Sequence, residues 1–223
     1  MYKTIVLISC AGNGSRFGSD IPKQYTKIGA KTVLLHTLEV FIGMSEINQI
    51  IIVVNPNDQY ISDYADISPK ITIAKVGGVR RIDSVLNGLK QLKCLDNDWI
   101  LVHDAVRCCI TPFLVRNLIN QLINDPVGGI LAVPVTDTVK LGNNGRIINT
   151  IERNQVYLAQ TPQMFRYGVL LAALTNPGLD HITDDASCVE QLGKIVHLVE
   201  GSYQNIKITH PHDIKLAKLF LEV

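Results

Sequence analysis

Near the start of the chain, the string IVLISCAGNGSRFGSDIPKQY passes from an apolar run into three glycines, an arginine, and a lysine behind a proline. Taken alone, Gly12, Gly14 and Gly18 would serve an ordinary strand-to-helix turn. With Arg16 and Lys23 seven residues apart among them, they suit another task. Backbone N–H groups of an extended glycine-rich loop can wrap a polyphosphate while two cations meet its charge. Two familiar phosphate loops are excluded by spacing. GxxxxGK followed by Ser or Thr, which brings lysine and hydroxyl to phosphate and metal, does not occur. GxGxxG opening a helix fails because Phe17 stands at the third glycine position, and Asp20 and Pro22 follow too soon. The residue before a proline is driven extended, so Ile21-Pro22 presents Lys23 from a fixed stretch.

A second group of polar residues, HDAVR, closes an apolar run where open α/β sheets gather ligands. Asp104 there reads on its own equally as a helix-capping carboxylate. His103 reads as a structural hydrogen-bonding residue rather than a base, and Arg107 either pairs with a carboxylate or faces phosphate.

The elements that must position these residues follow from periodicity. Runs at 4–8, 49–54, 71–76, 99–103 and 129–135 are continuously apolar, as in strands covered on both faces. Between them VLLHTLEVFIGM, RIDSVLNGLKQL and TPFLVRNLINQL carry helical periods, the last with Thr111 as N-cap and Pro112 at the first helical position. The alternation predicts an α/β fold, a Rossmann-like doubly wound and mostly parallel sheet. The rhythm breaks from Thr136 to Gln163, where two short strands around GNNG predict a β-hairpin arm within 137–158. Helices resume near Arg166 and Asp184, then VHLVE and NIKIT read as strands before a helix from His212. A two-stranded arm is marginal alone in water, so it is expected to pack on a second copy of the chain.

With 223 residues, 47% of them hydrophobic, and no linker or repeat, the chain reads as one domain, 1–223. A formal charge of +1 gives no field for nucleic acid or an anionic membrane surface. No charged leader with a cleavage site opens the chain, and no apolar run reaches the ~18 residues of a membrane helix. Five cysteines without a CxxC pair read as small hydrophobes in a reducing cytoplasm.

At this point the strings themselves resemble a family. AGNGSR with PKQY is similar to the opening of nucleotidyltransferases that activate sugar and polyol phosphates. GGVRRIDSVLNGL, VHDAVR, DTVK, ER, AQTPQMF, TDDAS and NIKIT, in that order over nearly the whole chain, narrow the resemblance to the 2-C-methyl-D-erythritol 4-phosphate cytidylyltransferases. The resemblance implies attack of a polyol phosphate on the α-phosphorus of CTP, with Mg²⁺ and a homodimer whose arm reaches the neighbouring site. Arg16 and Lys23 match positions that stabilise the triphosphate and the pentacovalent transition state, and Lys207 matches a catalytic position at the polyol phosphate. Ala11, Gly12, Gly14, Gly78 and Ser84 match positions around CTP, and Asp104 a Mg²⁺ ligand. Thr138, Arg153, Thr161 and Thr183 match positions at the second substrate.

Several of these positions also have plainer readings. GGVRRIDS suits a loop before a helix capped by Asp83; Thr161 and Thr183 suit a turn and a cap; Arg153 suits a solvated hairpin. Two departures stand out. Cys10-Ala11 replaces a pair of alanines, and Cys108-Cys109 replaces a proline after Arg107, which loosens the backbone there. The nearest rival reading, ribitol 5-phosphate cytidylyltransfer, would not be expected to carry DTVK and TDDAS in this form. A non-catalytic nucleotide-binding domain would be expected to lack Arg16, Lys23 or Asp104. An NAD-dependent oxidoreductase lacks its fingerprint here.

Overall fold

The computed structural model describes residues 2–12, 21–176 and 182–223. Strands β1 (Thr4–Ser9), β4 (Gln49–Val53), β5 (Ile71–Ala74), β6 (Trp99–Asp104), β7 (Gly128–Pro134), β10 (Tyr157–Arg166) and β11 (His197–Glu200) form one sheet in the order β11-β7-β10-β6-β1-β4-β5. The pairs β1–β4, β1–β6, β4–β5 and β7–β11 are parallel, and β10 runs antiparallel to β6 and β7. A two-stranded ladder, β2 (Lys27–Ile28) with β3 (Lys31–Thr32), precedes the first long helix.

The continuous apolar runs are explained by helices on both faces. Side chains alternate along a strand, so Val6, Ile8, Ile50, Ile52 and Leu101 join one buried cluster. There they meet Leu34, Leu38 and Phe41 of α1 (Val33–Ile42) and Leu114, Val115 and Leu118 of α3 (Pro112–Leu122). Their neighbours Ile5, Leu7, Ile51, Val53, Ile100 and Val102 join the opposite cluster. That face is covered by α2 (Arg81–Leu89), α4 (Tyr167–Thr175) and α5 (Asp185–Gln191). A buried strand position is therefore worth roughly 1.5–3 kcal/mol when filled by a large aliphatic side chain. The sheet is thus the expected doubly wound, mostly parallel one. Helix α3 starts as its caps predict, with the Thr111 hydroxyl accepting from Leu114 N–H at 3.3 Å and Pro112 in the first turn.

Three sequence expectations are corrected. The first is an omission: β10 is a central strand, and Pro162 hid it, since proline normally argues against a central strand. It is tolerated because pairing with β7 lapses between Ala159 and Gln163, around the cis Thr161–Pro162 bond, so no ladder N–H is forfeited there. Second, NIKIT is not a strand. The sheet edge beside β7 is already taken by β11, and the segment's carbonyls are used by side chains: Asn205 O by Arg107, Ile208 O by Lys23. Third, α2 begins at Arg81, so Asp83 is not its N-cap; it lies in the first turn and accepts from Arg80 N–H at 3.0 Å.

The hairpin does form, from β8 (Val139–Asn143) and β9 (Arg146–Ile151), in a ladder of its own. Asn144 and Gly145 join them with φ of 48° and 75°, the left-handed pair a two-residue hairpin turn requires. Leu141, Ile147, Ile148 and Ile151 are all exposed on it. Closing the chain, α6 (Asp213–Phe220) covers a third, smaller cluster that includes Cys108 and Cys109.

Candidate active site

The carboxyl ends of β1 and β6 open into a cavity of about 300 Å³ lined by Ala11, Gly12, Lys23, Gly78, Ser84, Asp104 and Lys207, among others. A second cavity of about 210 Å³ shares Asp104 and Lys207 with the first and adds Arg107, Thr161 and Thr183.

The first wall is backbone at close quarters. Gly77 donates to Val54 O at 2.8 Å, and a Cβ there would lie 2.5 Å from the Cβ of Ala11, so only glycine lets the two loops meet. Gly78 N–H donates to the Ser84 hydroxyl at 2.9 Å, which places Ser84 as the brace of this loop. Cys10 is buried beneath Ala11, and burial pushes its thiol above its ordinary range. Lys23 opens a short 3₁₀ turn behind Pro22, and its ammonium donates to Ile208 O at 3.0 Å. That bond ties the lysine to the segment that carries Lys207.

Asp104 is the electrostatic centre. Its Oδ1 accepts from Arg81 Nε at 3.0 Å, its Oδ2 lies 2.8 Å from Lys207 Nζ, and Arg107 Nε is 3.7 Å away. Burial alone would raise this carboxyl, but Arg81, Lys207 and Arg107 outweigh it and hold it far below the usual carboxylate range. It is therefore an anion at any physiological pH. Arg81 bonds a second carboxylate, Asp185, at 2.7 Å. Burial keeps the Asp185 carboxyl above its ordinary value despite that arginine.

The open question at Arg107 is answered by its bonds. Its guanidinium donates to Asn205 O at 2.7 Å and Ala159 O at 3.4 Å, so it pins two backbone segments beside the carboxylate rather than standing clear in the cavity. Cys108 and Cys109 are buried against Val106, Ile208 and Ala217, and packing holds the segment where a proline would have stiffened it.

His103 is fully buried behind Asp104. Asp104 N–H donates to the Thr161 hydroxyl at 3.1 Å, that hydroxyl lies 3.0 Å from His103 Nδ1, and His103 Nε2 lies 3.3 Å from Arg107 O. The consistent arrangement is a neutral ring accepting at Nδ1 and donating at Nε2. Burial, with Arg107 and Arg81 nearby, holds its pKa down at about 3 against the pull of Asp104. It is a structural link, as its sequence context suggested. Thr161 is built into the same link.

The two arm residues are elsewhere. Thr138 is exposed just before β8, and Arg153 is exposed, its Nη1 donating to Thr136 O across the base of the arm. Neither lines either cavity within this one chain. Arg16 and Gly14 lie outside the described residues. The sequence reading left Arg81 and Asp185 without roles although both lie in its quoted strings. The one available signal was a charged residue at the first position of each of two helices.

This geometry has close counterparts. Residues 4–223 match the family model described as 2-C-methyl-D-erythritol 4-phosphate cytidylyltransferase (IspD). A protein of that name from Chromobacterium violaceum is 46% identical over 218 residues, 97% of each chain. Another from Nitrosomonas eutropha is 46% identical over 228 residues, 99% of this chain and 97% of its own. A crystal structure of 4-diphosphocytidyl-2C-methyl-D-erythritol synthase superposes with a TM-score of 0.88 at 40% identity, covering 99% of both chains. The Francisella tularensis 2-C-methyl-D-erythritol 4-phosphate cytidylyltransferase superposes at 0.84 with 34% identity, over 98% of this chain and 99% of its own. Matched along almost its whole length in sequence and in backbone, the chain belongs to the 2-C-methyl-D-erythritol 4-phosphate cytidylyltransferase family.

Proposed function

We propose that this chain is an enzyme, a cytidylyltransferase, that moves the cytidylyl group of CTP onto 2-C-methyl-D-erythritol 4-phosphate. It releases pyrophosphate and forms the CDP-methylerythritol intermediate of non-mevalonate isoprenoid biosynthesis. The observation that carries the reading is Asp104 on the wall common to two adjoining cavities, with Lys23 on one and Arg81 and Lys207 on both. Two cavities meeting at one charged wall suit two phosphate-bearing substrates. The family match names them.

In the reaction an oxygen of the polyol phosphate forms a bond to the α-phosphorus of CTP. The bond from that phosphorus to the bridging oxygen breaks, and its electron pair leaves with pyrophosphate. The attacking group has a second pKa of about 6 and is already a dianion at neutral pH. No general base is required, which accords with a neutral, buried His103. The barrier is electrostatic, two polyanions brought together, so positioning and cations do the work. Lys23 serves the triphosphate and the charge that gathers in the transition state, with Arg16 from the same loop. Lys207 takes the polyol phosphate, and the backbone around Gly12 and Gly78 receives the nucleotide.

The donor set suits a hard divalent cation. Asp104 offers oxygen, and no group of three or more His, Cys, Asp or Glu side chains converges among the described residues. Mg²⁺ is commonly held this way, by one or two carboxylates with substrate phosphates and water completing the shell. Asp104 would hold it, and the cation would neutralise phosphate charge.

The exposed apolar arm, with Thr138 and Arg153, completes the site of a second copy, so the working unit is a homodimer of single-domain chains. Arginine suits that task because its planar fork bonds phosphate at two points. No helix among the described residues is long and apolar enough to cross a membrane, and the five thiols are free. Free thiols suit a reducing compartment, and we place the activity in the cytoplasm.

The test is pyrophosphate release from CTP with Mg²⁺, run with 2-C-methyl-D-erythritol 4-phosphate and with D-ribitol 5-phosphate as acceptors. Strong preference for the first is expected. Preference for ribitol phosphate would keep the chemistry and overturn the substrate. Silence with both, in folded protein that binds CTP, would overturn the enzyme reading.

A further inference from the structure

Asp185 stands in the first turn of α5, where an acidic residue is common but full burial is not. It is fully buried, one carboxylate oxygen accepts from Arg81 Nη1 at 2.7 Å, and the other has no hydrogen-bond partner among the described residues. Arg81 Nη2 is likewise buried without a partner among the described residues. A buried ion pair seldom adds net stability, because desolvation offsets attraction, and this one leaves polar atoms unsatisfied as well. Its geometry has a different use. The guanidinium is planar and rigid, so bonding Asp185 through Nη1 fixes where Nε points, and Nε donates to Asp104 Oδ1 at 3.0 Å.

The anchor is itself braced. Gln163 of β10 accepts from Ala186 N–H at 2.9 Å and donates to Asp184 at 2.7 Å, holding the first turn of α5 to the sheet. By contrast Lys207, the partner of Asp104 Oδ2, has a side chain 42% exposed on a single-bonded stem against 24% for Arg81. One oxygen of Asp104 is thus held by the doubly bonded Arg81, and the other is met by the more exposed Lys207, with Arg107 Nε 3.7 Å away.

We propose that Arg81, anchored by Asp185, is a positioning residue that sets the Asp104 carboxylate to receive the divalent cation of the bound nucleotide. This rests on the reading of Asp104 as a cation ligand. The clamp joins α2, β6 and α5, so it also holds the nucleotide wall and the acceptor wall in one register. Outer partners of this kind typically change metal affinity ~10–100-fold when removed.

The test uses Asp185→Asn, which keeps shape and removes the charge, and Arg81→Lys, which keeps charge and removes the fork. Binding of Mn²⁺ to the protein–CTP complex, read from the electron paramagnetic resonance of free Mn²⁺, should weaken about tenfold or more in each variant. CTP binding without metal, by calorimetry, should stay within about twofold, and kcat should fall more than KM for the polyol phosphate rises. The double variant should be little worse than the worse single one, because the two side chains act as a unit. Unchanged Mn²⁺ affinity and kcat in folded variants would overturn the inference. So would an equal loss of metal-free CTP binding, the mark of a merely structural role. If Asp185→Asn does not fold, Arg81→Lys carries the same comparison. Wild-type protein run alongside separates the two levels: failure of its own Mn²⁺–CTP binding would overturn the reading of Asp104 and this inference with it.

Discussion

Lys23 couples its local sequence to a distant segment. Pro22 sets the backbone and the ammonium reaches Ile208 O, so the charge is held where the two loops meet rather than swinging in solvent. Replacing it with alanine removes a half-buried stem and the bond to Ile208 O, which alone costs about 1 kcal/mol to folding. A fixed donor at a developing anion is worth ~10²–10³ in rate. Lys23→Ala is therefore expected to melt within a few degrees of wild type and to lose at least a hundredfold in kcat. Near-normal turnover in that variant would remove Lys23 from the transition state.

The arm is a ladder of its own, apart from the seven-stranded sheet. Its turn is well specified by Asn144 and Gly145, yet its apolar residues Ile147 and Ile148 are 67% and 62% exposed. An isolated two-stranded hairpin of this kind is marginal in water, and exposed apolar strands invite pairing. If it serves a second copy, Arg153→Ala should raise KM for the polyol phosphate at least tenfold while KM for CTP changes little, a loss of about 1.4 kcal/mol or more at one substrate. Mixing Arg153→Ala with Lys23→Ala protein should then restore part of the activity, because one hybrid site carries neither substitution. Absence of recovery where mass spectrometry shows subunit exchange would count against a shared site.

At the scale of the whole molecule, stability is tied to pH through His103. Unfolded, its ring takes a proton below about 6.5; folded, burial and the nearby Arg107 and Arg81 delay that to about 3. Between these values the unfolded chain holds more protons, so stability falls as pH drops and is fully retained above about pH 7. The limiting slope is about 1.4 kcal/mol per pH unit for one such group. Asp104, depressed, adds to the loss as pH falls below about 3.8, its ordinary value, while Asp185, raised, works in the opposite sense. Urea unfolding of wild type and His103→Gln between pH 4 and 6.5 isolates the histidine: the variant's stability should depend less steeply on pH. Parallel profiles would show that His103 does not carry the effect.

What the amino-acid order determines unaided is local. Continuous apolar runs predict strands covered on both faces, Thr111-Pro112 starts α3, Asn144-Gly145 turns the hairpin, and Pro22 sets Lys23. Each rests on interactions within a few residues, where propensity and turn chemistry are strong enough to be read directly. Only the folded molecule decides that β10 enters the middle of the sheet against the evidence of its own proline, that NIKIT lies outside it, and that Arg107 is used on backbone carbonyls. The clamp on Asp104 is the clearest case, for Arg81 and Asp185 are 104 residues apart. Nothing near either residue prefers the other. They meet because two helices on one face of the sheet both begin at the edge where β6 ends, and burial of one charge there requires the other.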